Sequence, residues 1–336
     1  MFGKKSCPCL LFDVLRQVAA GLFILEKTTQ QFFFTSSRLF GKKLLFLLVF
    51  VCLLTNCRTE TVNQPINLLA REITDDLGRT VKLPETFERA VSLAPNLTEI
   101  VFAVGAGDKL VGRTSYDNFP PEANKIQTVG DTLNPNIENI IGLKPQVVLV
   151  STASQIETFT RQLESQNIAV FVTNPNSLDD IYKSIYQIGE IFGKTEKARE
   201  IVEDLKKRVA DVEANINQAK DVKVFLQISK EPLFTIGKDS FLTDLIARAG
   251  GISVTANVAT AYPKLSKETA LVLNPEAIIL SESEDNRSPN DVFKNSPAAR
   301  NGKVFKINAD IISRPSPRIV DALEQIARML HPESSR

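Results

Sequence analysis

Hydrophobic and polar positions along this chain switch repeatedly between two periods. Ala90–Ala94, Leu110–Arg113, Ile168–Val172, Val222–Ile228 and Val304–Ile307 are short apolar runs, the pattern of strands buried on both faces of a parallel sheet. Between them, apolar residues recur at helical spacing. Leu97, Ile100, Val101 and Val104 define a helix opened by Pro95, with Asn96 as N-cap and Glu99 three residues on, and Gly105 and Gly107 beyond its end. Ser177 and Asp180 cap a helix whose buried face is Leu178, Ile181, Ile185, Ile188 and Phe192. A hairpin is predicted around Asp76-Leu77-Gly78. Helices are predicted at about 155–166, 241–249 and 317–330, and a short strand-like run at 232–236. Strands alternating with helices predict an α/β fold with parallel sheets.

One stretch occurs twice. Asn136–Val150 reads NIENIIGLKPQVVLV and Ser266–Leu280 reads SKETALVLNPEAIIL; each is a short amphipathic helix with an early glutamate, then Leu-x-Pro, then an apolar strand. Pro145 and Pro275 end the helices, because proline lacks an N–H and disfavours helical geometry in the residue before it. A helix–Pro–strand unit repeated at domain-sized separation predicts two lobes of similar build. Between them lies the most regular helix pattern in the chain, Thr195–Ala219, apolar at Val202, Leu205, Val209, Val212, Ile216 and Ala219. Glu203–Lys207 and Asp204–Arg208 are i,i+4 pairs on its polar side. About 25 residues at 1.5 Å each give roughly 40 Å, the length of a domain. A coiled coil uses the same spacing, but the pattern runs to fewer than four heptads and is flanked by sheet-forming segments. The expected organisation is a leader and signal at 1–57, a tether at 58–72, an N-terminal lobe at 73–193, a connecting helix at 194–220 and a C-terminal lobe at 221–333.

Composition narrows the functions. With 40 basic and 39 acidic residues in 336, the net charge is +1, and no strong field favours nucleic acid. All four cysteines, Cys7, Cys9, Cys52 and Cys57, fall in the first 57 residues, so the lobes have no disulfide framework or thiolate metal site. Arg38, Lys42 and Lys43 precede LLFLLVFVCLLTNC, a basic region followed by an apolar core of secretory-signal length. Residues 44–54 are fewer than the roughly 20 a membrane-spanning helix needs. Leu54-Thr55-Asn56-Cys57 resembles the lipobox of bacterial lipoproteins, with Cys57 as the acylated residue; Asn56 is unusual there, and an uncleaved anchor or a simply cleaved signal are the other readings. Residues 1–37 lie upstream of a complete signal and are left out of the fold.

Catalysis finds little support. No G-x-G-x-x-G or P-loop follows a strand. The only histidine is His331, the sixth residue from the end, which leaves the lobes without a Ser-His-Asp or Cys-His constellation or an imidazole metal site. Asp179/Asp180 and Glu282/Glu284 read as a helix start and a solvated turn.

Several stretches, in order, carry a resemblance: RAVSLAPNLTE (89–99), VGRTSYDNFPP (111–121), Asn136–Leu149, VFLQISKEPLFTIGKDS (224–240) and RPSPRI (314–319). Together they resemble the periplasmic substrate-binding proteins of ABC importers for iron-siderophores and vitamin B12, over residues 73 to 331, and look most like the vitamin B12-binding branch. The resemblance implies two α/β lobes joined by one rigid helix, a ligand in the cleft between them, no enzymatic activity and no cofactor beyond the ligand. It implies that Tyr116 stacks on a corrin face, that Phe234 and Tyr262 add apolar walls, and that Asp310 is a polar cleft residue; each is otherwise an ordinary core or loop residue. The chain has no tryptophan; Thr132 and Ser151 stand where the B12-binding relatives place two. That departure keeps a ferric siderophore or haem open as ligand beside cobalamin. Arg113 and Arg314 flank the same loops, as partners of an anionic ligand or as structural arginines. Glu138 and Glu268, read alone, are favourable first-turn charges; in the family such paired glutamates dock onto arginines of the two permease subunits. The implied protein is a monomer outside the cytoplasmic membrane, held by a lipid anchor.

Overall fold

The computed structural model describes residues 71–85, 88–151 and 156–335. The leader, the signal, Cys57 and nearly all of the tether lie outside them. The described chain opens on the expected hairpin, β1 (Arg71–Thr74) and β2 (Thr80–Leu83), paired antiparallel. Asp75 organises its turn, accepting from the Leu77 and Arg79 backbone N–H groups.

Eight elements follow: β3 (Ala90–Ser92), α1 (Pro95–Ala103), β4 (Leu110–Gly112), α2 (Ile137–Gly142), β5 (Val147–Ser151), α3 (Ile156–Glu164), β6 (Ala169–Thr173) and α4 (Leu178–Ile191). The long helix α5 (Thr195–Ile216) comes next. Beyond it are β7 (Val222–Gln227), α6 (Phe241–Arg248), β8 (Gly251–Ser253), α7 (Lys267–Leu271), β9 (Ala277–Glu282), α8 (Pro297–Arg300), β10 (Val304–Asn308), α9 (Ala309–Ile312) and α10 (Ile319–Leu330). No helix among the described residues is long and apolar enough to cross a membrane.

The strands form two four-stranded parallel sheets, ordered β4-β3-β5-β6 and β10-β9-β7-β8. Taken from the first strand of each lobe, both orders are 2-1-3-4, so the lobes share one topology. The repeated unit supplies the third strand of each. Its two copies agree in detail. Asn136 caps α2 by accepting from the Asn139 N–H, and Ser266 caps α7 by accepting from the Thr269 N–H. After each helix one residue takes a left-handed conformation, Lys144 at φ 49° and Asn274 at φ 47°, which turns the chain into the proline and the strand.

Strand alternation explains why these runs are apolar throughout. Val147 and Leu149 of β5 join one core with Ala277 and Ile279 of β9, while Val148 and Val150 face a second core and Ile278 and Leu280 a third. The first core is common to both lobes: it also takes Ile181, Ile185 and Ile188 of α4, Val202, Leu205 and Val209 of α5, and Leu323, Ile326 and Leu330 of α10. The outer two are covered separately, by Ile140 of α2 on one side and Ala270 of α7 on the other. Helix α5 lies against α4 and α10, so the connector is also the spine of the shared core.

Three expectations change. Helix α5 ends at Ile216 after 22 residues, roughly 33 Å, short of the predicted Ala219. Arg208 pairs not with Asp204 but with Asp321 and Glu324 of α10, at 2.6 and 2.8 Å; a partner on a packed neighbouring helix outcompetes one on the solvated face. Residues 232–236 form no strand. Phe234 makes isolated bridges to Ser229 and Lys264 instead. Strand β8, hidden by the Gly250-Gly251 pair, was not predicted.

Candidate functional site

A cleft of about 580 Å3 lies between the lobes, within the size range of small-molecule sites. One wall comes from the carboxyl ends of N-lobe strands: Ala94-Pro95-Asn96 after β3, Ser151 at the end of β5, and Asn174-Pro175-Asn176 after β6. In an open parallel sheet the crevice forms where strand order reverses, here between β3 and β5. The facing wall is Asp239, Ser240 and Phe241 at the start of α6, Ala261 and Tyr262, and Asp310, Ser313, Arg314 and Pro315 after β10. Tyr116 and Thr132 complete the lining from loops. Of the predicted ligand residues, the fold thus brings Tyr116, Thr132, Tyr262, Asp310 and Arg314 together, with Ser151. Phe234 does not line the cleft; it is half-buried beneath the Tyr262 segment.

The two tyrosines are 59% and 47% exposed, ring area available to a flat ligand. Their loops are held firmly. Beside Tyr116, the buried Asp117 carboxylate accepts from the Thr98 hydroxyl at 2.5 Å and from the Thr114 hydroxyl. Burial pushes the Asp117 carboxyl above the usual carboxylate range, against those hydrogen bonds and the Arg113 charge. The Tyr262 segment is zipped onto residues 235–238 by backbone bonds from Thr235 N–H to Pro263 O (3.1 Å) and Gly237 N–H to Ala261 O (2.9 Å). Gly237 is required there, since a Cβ would collide with the Thr260 carbonyl.

Beneath the cleft sits an ion cluster that crosses from lobe to lobe. Glu99 of α1 is buried, and its carboxylate accepts from Arg314 Nη1 (2.9 Å), Ser316 Oγ (2.6 Å), Arg318 Nε (2.9 Å) and Arg318 Nη2. Arg314 also donates to Asp310 Oδ1 (2.8 Å), to Asn118 Oδ1 (2.8 Å) and to the Tyr116 carbonyl (3.1 Å). Asn118 returns a bond to Asp310 Oδ2 at 2.9 Å. Phe119 stacks on the Arg318 guanidinium, 3.9 Å from the ring centroid. Arg314 is therefore a structural arginine, already neutralised by Glu99 and Asp310. Arg113 is buried too, donating to the Thr114 carbonyl, and is not part of the lining.

A family model described as "Periplasmic binding protein" matches residues 91–311, which spans both sheets and nearly all of the cleft. The chain belongs to the periplasmic binding protein family. It is a substrate-binding protein of ABC importers; it works outside the cytoplasmic membrane with permease subunits and is not an enzyme. An uncharacterized ABC transporter substrate-binding lipoprotein of Bacillus subtilis is 31% identical, covering 78% of this chain and 86% of that protein. The vitamin B12-binding protein of Vibrio cholerae is 29% identical, covering 74% and 90%. A crystal structure of the periplasmic vitamin B12-binding protein of Vibrio cholerae superposes with a TM-score of 0.64 at 28% identity, over 74% of this chain and 98% of that one.

Sequence reasoning missed part of this binding protein's cleft. Asn96 is not the N-cap of α1: Ala94 is, Pro95 takes the first turn, and Asn96 lines the cleft. Glu99 is not half of a capping box but the centre of the ion cluster. The one sequence feature that bears on it is Arg314-Pro-Ser-Pro-Arg318, two arginines bracketing prolines, which one carboxylate can pair. Asn174, Asn176 and Asp239 carried no local signal. Glu138 and Glu268 lie away from the cleft, exposed in the first turns of α2 and α7.

Proposed function

We propose that this protein captures cobalamin outside the cytoplasmic membrane and delivers it to an ABC permease. The observation that carries the reading is the chemistry of the lining. Two exposed tyrosine rings offer faces to a flat macrocycle. Asn96, Asn174, Asn176, Ser240 and Ser313 offer neutral donors and acceptors suited to the amide side chains of a corrin. The single cation among the described lining residues, Arg314, is neutralised by two carboxylates. An anionic siderophore or the carboxylates of haem would call for an unpaired cation, and similarity to vitamin B12-binding relatives supports the same choice. Titration of the purified protein with cyanocobalamin, followed by isothermal calorimetry, is expected to give a Kd below about 10 µM, roughly 7 kcal/mol of binding. Tight binding of a ferric siderophore or haemin with no response to cyanocobalamin would refute the choice.

Two further parts of the reading concern delivery. Glu138 and Glu268 stand at equivalent places on two lobes of one topology, so each presents a carboxylate to one subunit of a two-fold permease, orienting the complex more than tightening it. The Glu268 carboxyl is held below its usual range by its own backbone N–H and by the Ser266 hydroxyl, so it is charged at neutral pH. A Glu138→Ala, Glu268→Ala variant is expected to keep cobalamin affinity and lose permease binding. Acylation of Cys57 holds the monomer at the membrane; palmitate labelling that persists in Cys57→Ala would exclude it.

A further inference from the structure

The two copies of the repeated unit are alike in backbone and cap, but not in what their helices show to solvent. Leu271 ends α7 and Val272 is its C-cap, three and four residues after Glu268, which places them beside it on one helix surface. They are 66% and 77% exposed, more than any other large hydrophobic residue among those described. In α2 the equivalent positions are Ile141 and Gly142: Ile141 packs against its lobe's outer core, and Gly142 has no side chain. The outer core of the C-terminal lobe is closed by Ala270 and Leu273 without help from Leu271 or Val272. Their exposure is not a side effect of packing.

We infer that Glu268, Leu271 and Val272 form a single amphipathic contact, a carboxylate beside two aliphatic side chains, for a membrane-spanning permease subunit that presents a cation flanked by apolar side chains. The contact at Glu138 is polar alone. This rests on the docking reading of the two glutamates. Continuity with Glu268 decides the occupant: aliphatic side chains beside an exposed carboxylate suit a surface where a base and an apolar patch adjoin, as at the solvent edge of a membrane protein.

The test uses the full-length protein and its cognate permease–ATPase complex in lipid nanodiscs, with binding followed by surface plasmon resonance. Leu271→Ser with Val272→Ser is expected to weaken binding at least ten-fold, mainly through faster dissociation, at unchanged melting temperature and cyanocobalamin affinity. The loss should persist at 0.5 M salt, where a charge contact is screened. Ile252→Ser, at another exposed aliphatic, on β8, is expected to bind like the parent. If the Leu271/Val272 variant binds like the parent while Glu138→Ala, Glu268→Ala is weakened, the apolar contact is refuted and glutamate docking stands. If neither variant is weakened, both fall.

Discussion

Replacing Glu99 by alanine is expected to lower the stability of this protein by about 3–5 kcal/mol, the range for breaking a buried ion pair from one side. The reason is asymmetry. Glu99 is 4% exposed and accepts four hydrogen bonds, three of them from two arginines 215 and 219 residues away. Without it, Arg314 retains Asp310, but Arg318 keeps only the face of Phe119. One guanidinium would then be left without a carboxylate in a half-buried site. For a chain of this size the loss corresponds to roughly 10 °C in melting temperature. Glu99→Ala with Arg318→Leu should recover part of it, because removing the charge and its partner together leaves less unpaired than removing one. A Glu99→Ala melting curve within 2 °C of the parent would show that the cluster is not the inter-lobe tie described above.

The second large effect is on ligand. Tyr116→Ala combined with Tyr262→Ala is expected to weaken cyanocobalamin binding by roughly 100-fold or more, since each buried aromatic face contributes about 1.5–3 kcal/mol and 1.4 kcal/mol is tenfold. Stability should not follow. Both residues are about half exposed, so truncation opens no cavity in the core. Tyr262→Phe should stay within a few-fold of the parent, because the ring face rather than the hydroxyl is what the ligand covers. A double variant that binds cyanocobalamin as tightly as the parent would remove the tyrosines from the site.

What the sequence made legible was local or periodic. Leu143-Lys-Pro145 and Leu273-Asn-Pro275 announced the third strand of each sheet, and Ser177 with Asp180 announced the start of α4, because these signals act within a few residues. The apolar stripe of α5 survived because burial against α4 and α10 follows the helical period directly. What was illegible depends on partners far along the chain. Asp204 looked like the partner of Arg208 until α10 supplied two closer carboxylates. Glu99 satisfied a local capping rule that tertiary structure overrode. Phe234 shows the limit of transferring a position by resemblance: its backbone supports the Tyr262 segment, while its ring is not in the lining. Asn174 and Asn176 reach the cleft only because β6 ends beside it, and no neighbour in sequence records that.

The ion cluster and α5 join the lobes at two separate places, one along the shared core and one under the cleft. A pair of bodies joined twice has little freedom to rotate about either joint. The cleft is therefore held near one shape, and binding need not be preceded by recruitment of a rare conformer. Affinity is not divided by the population of a closed state, and capture can run at the rate of encounter. The same economy makes release the harder half of the cycle. A cleft that does not open by itself must be opened, and the work has to come from whatever grips the two lobes from outside.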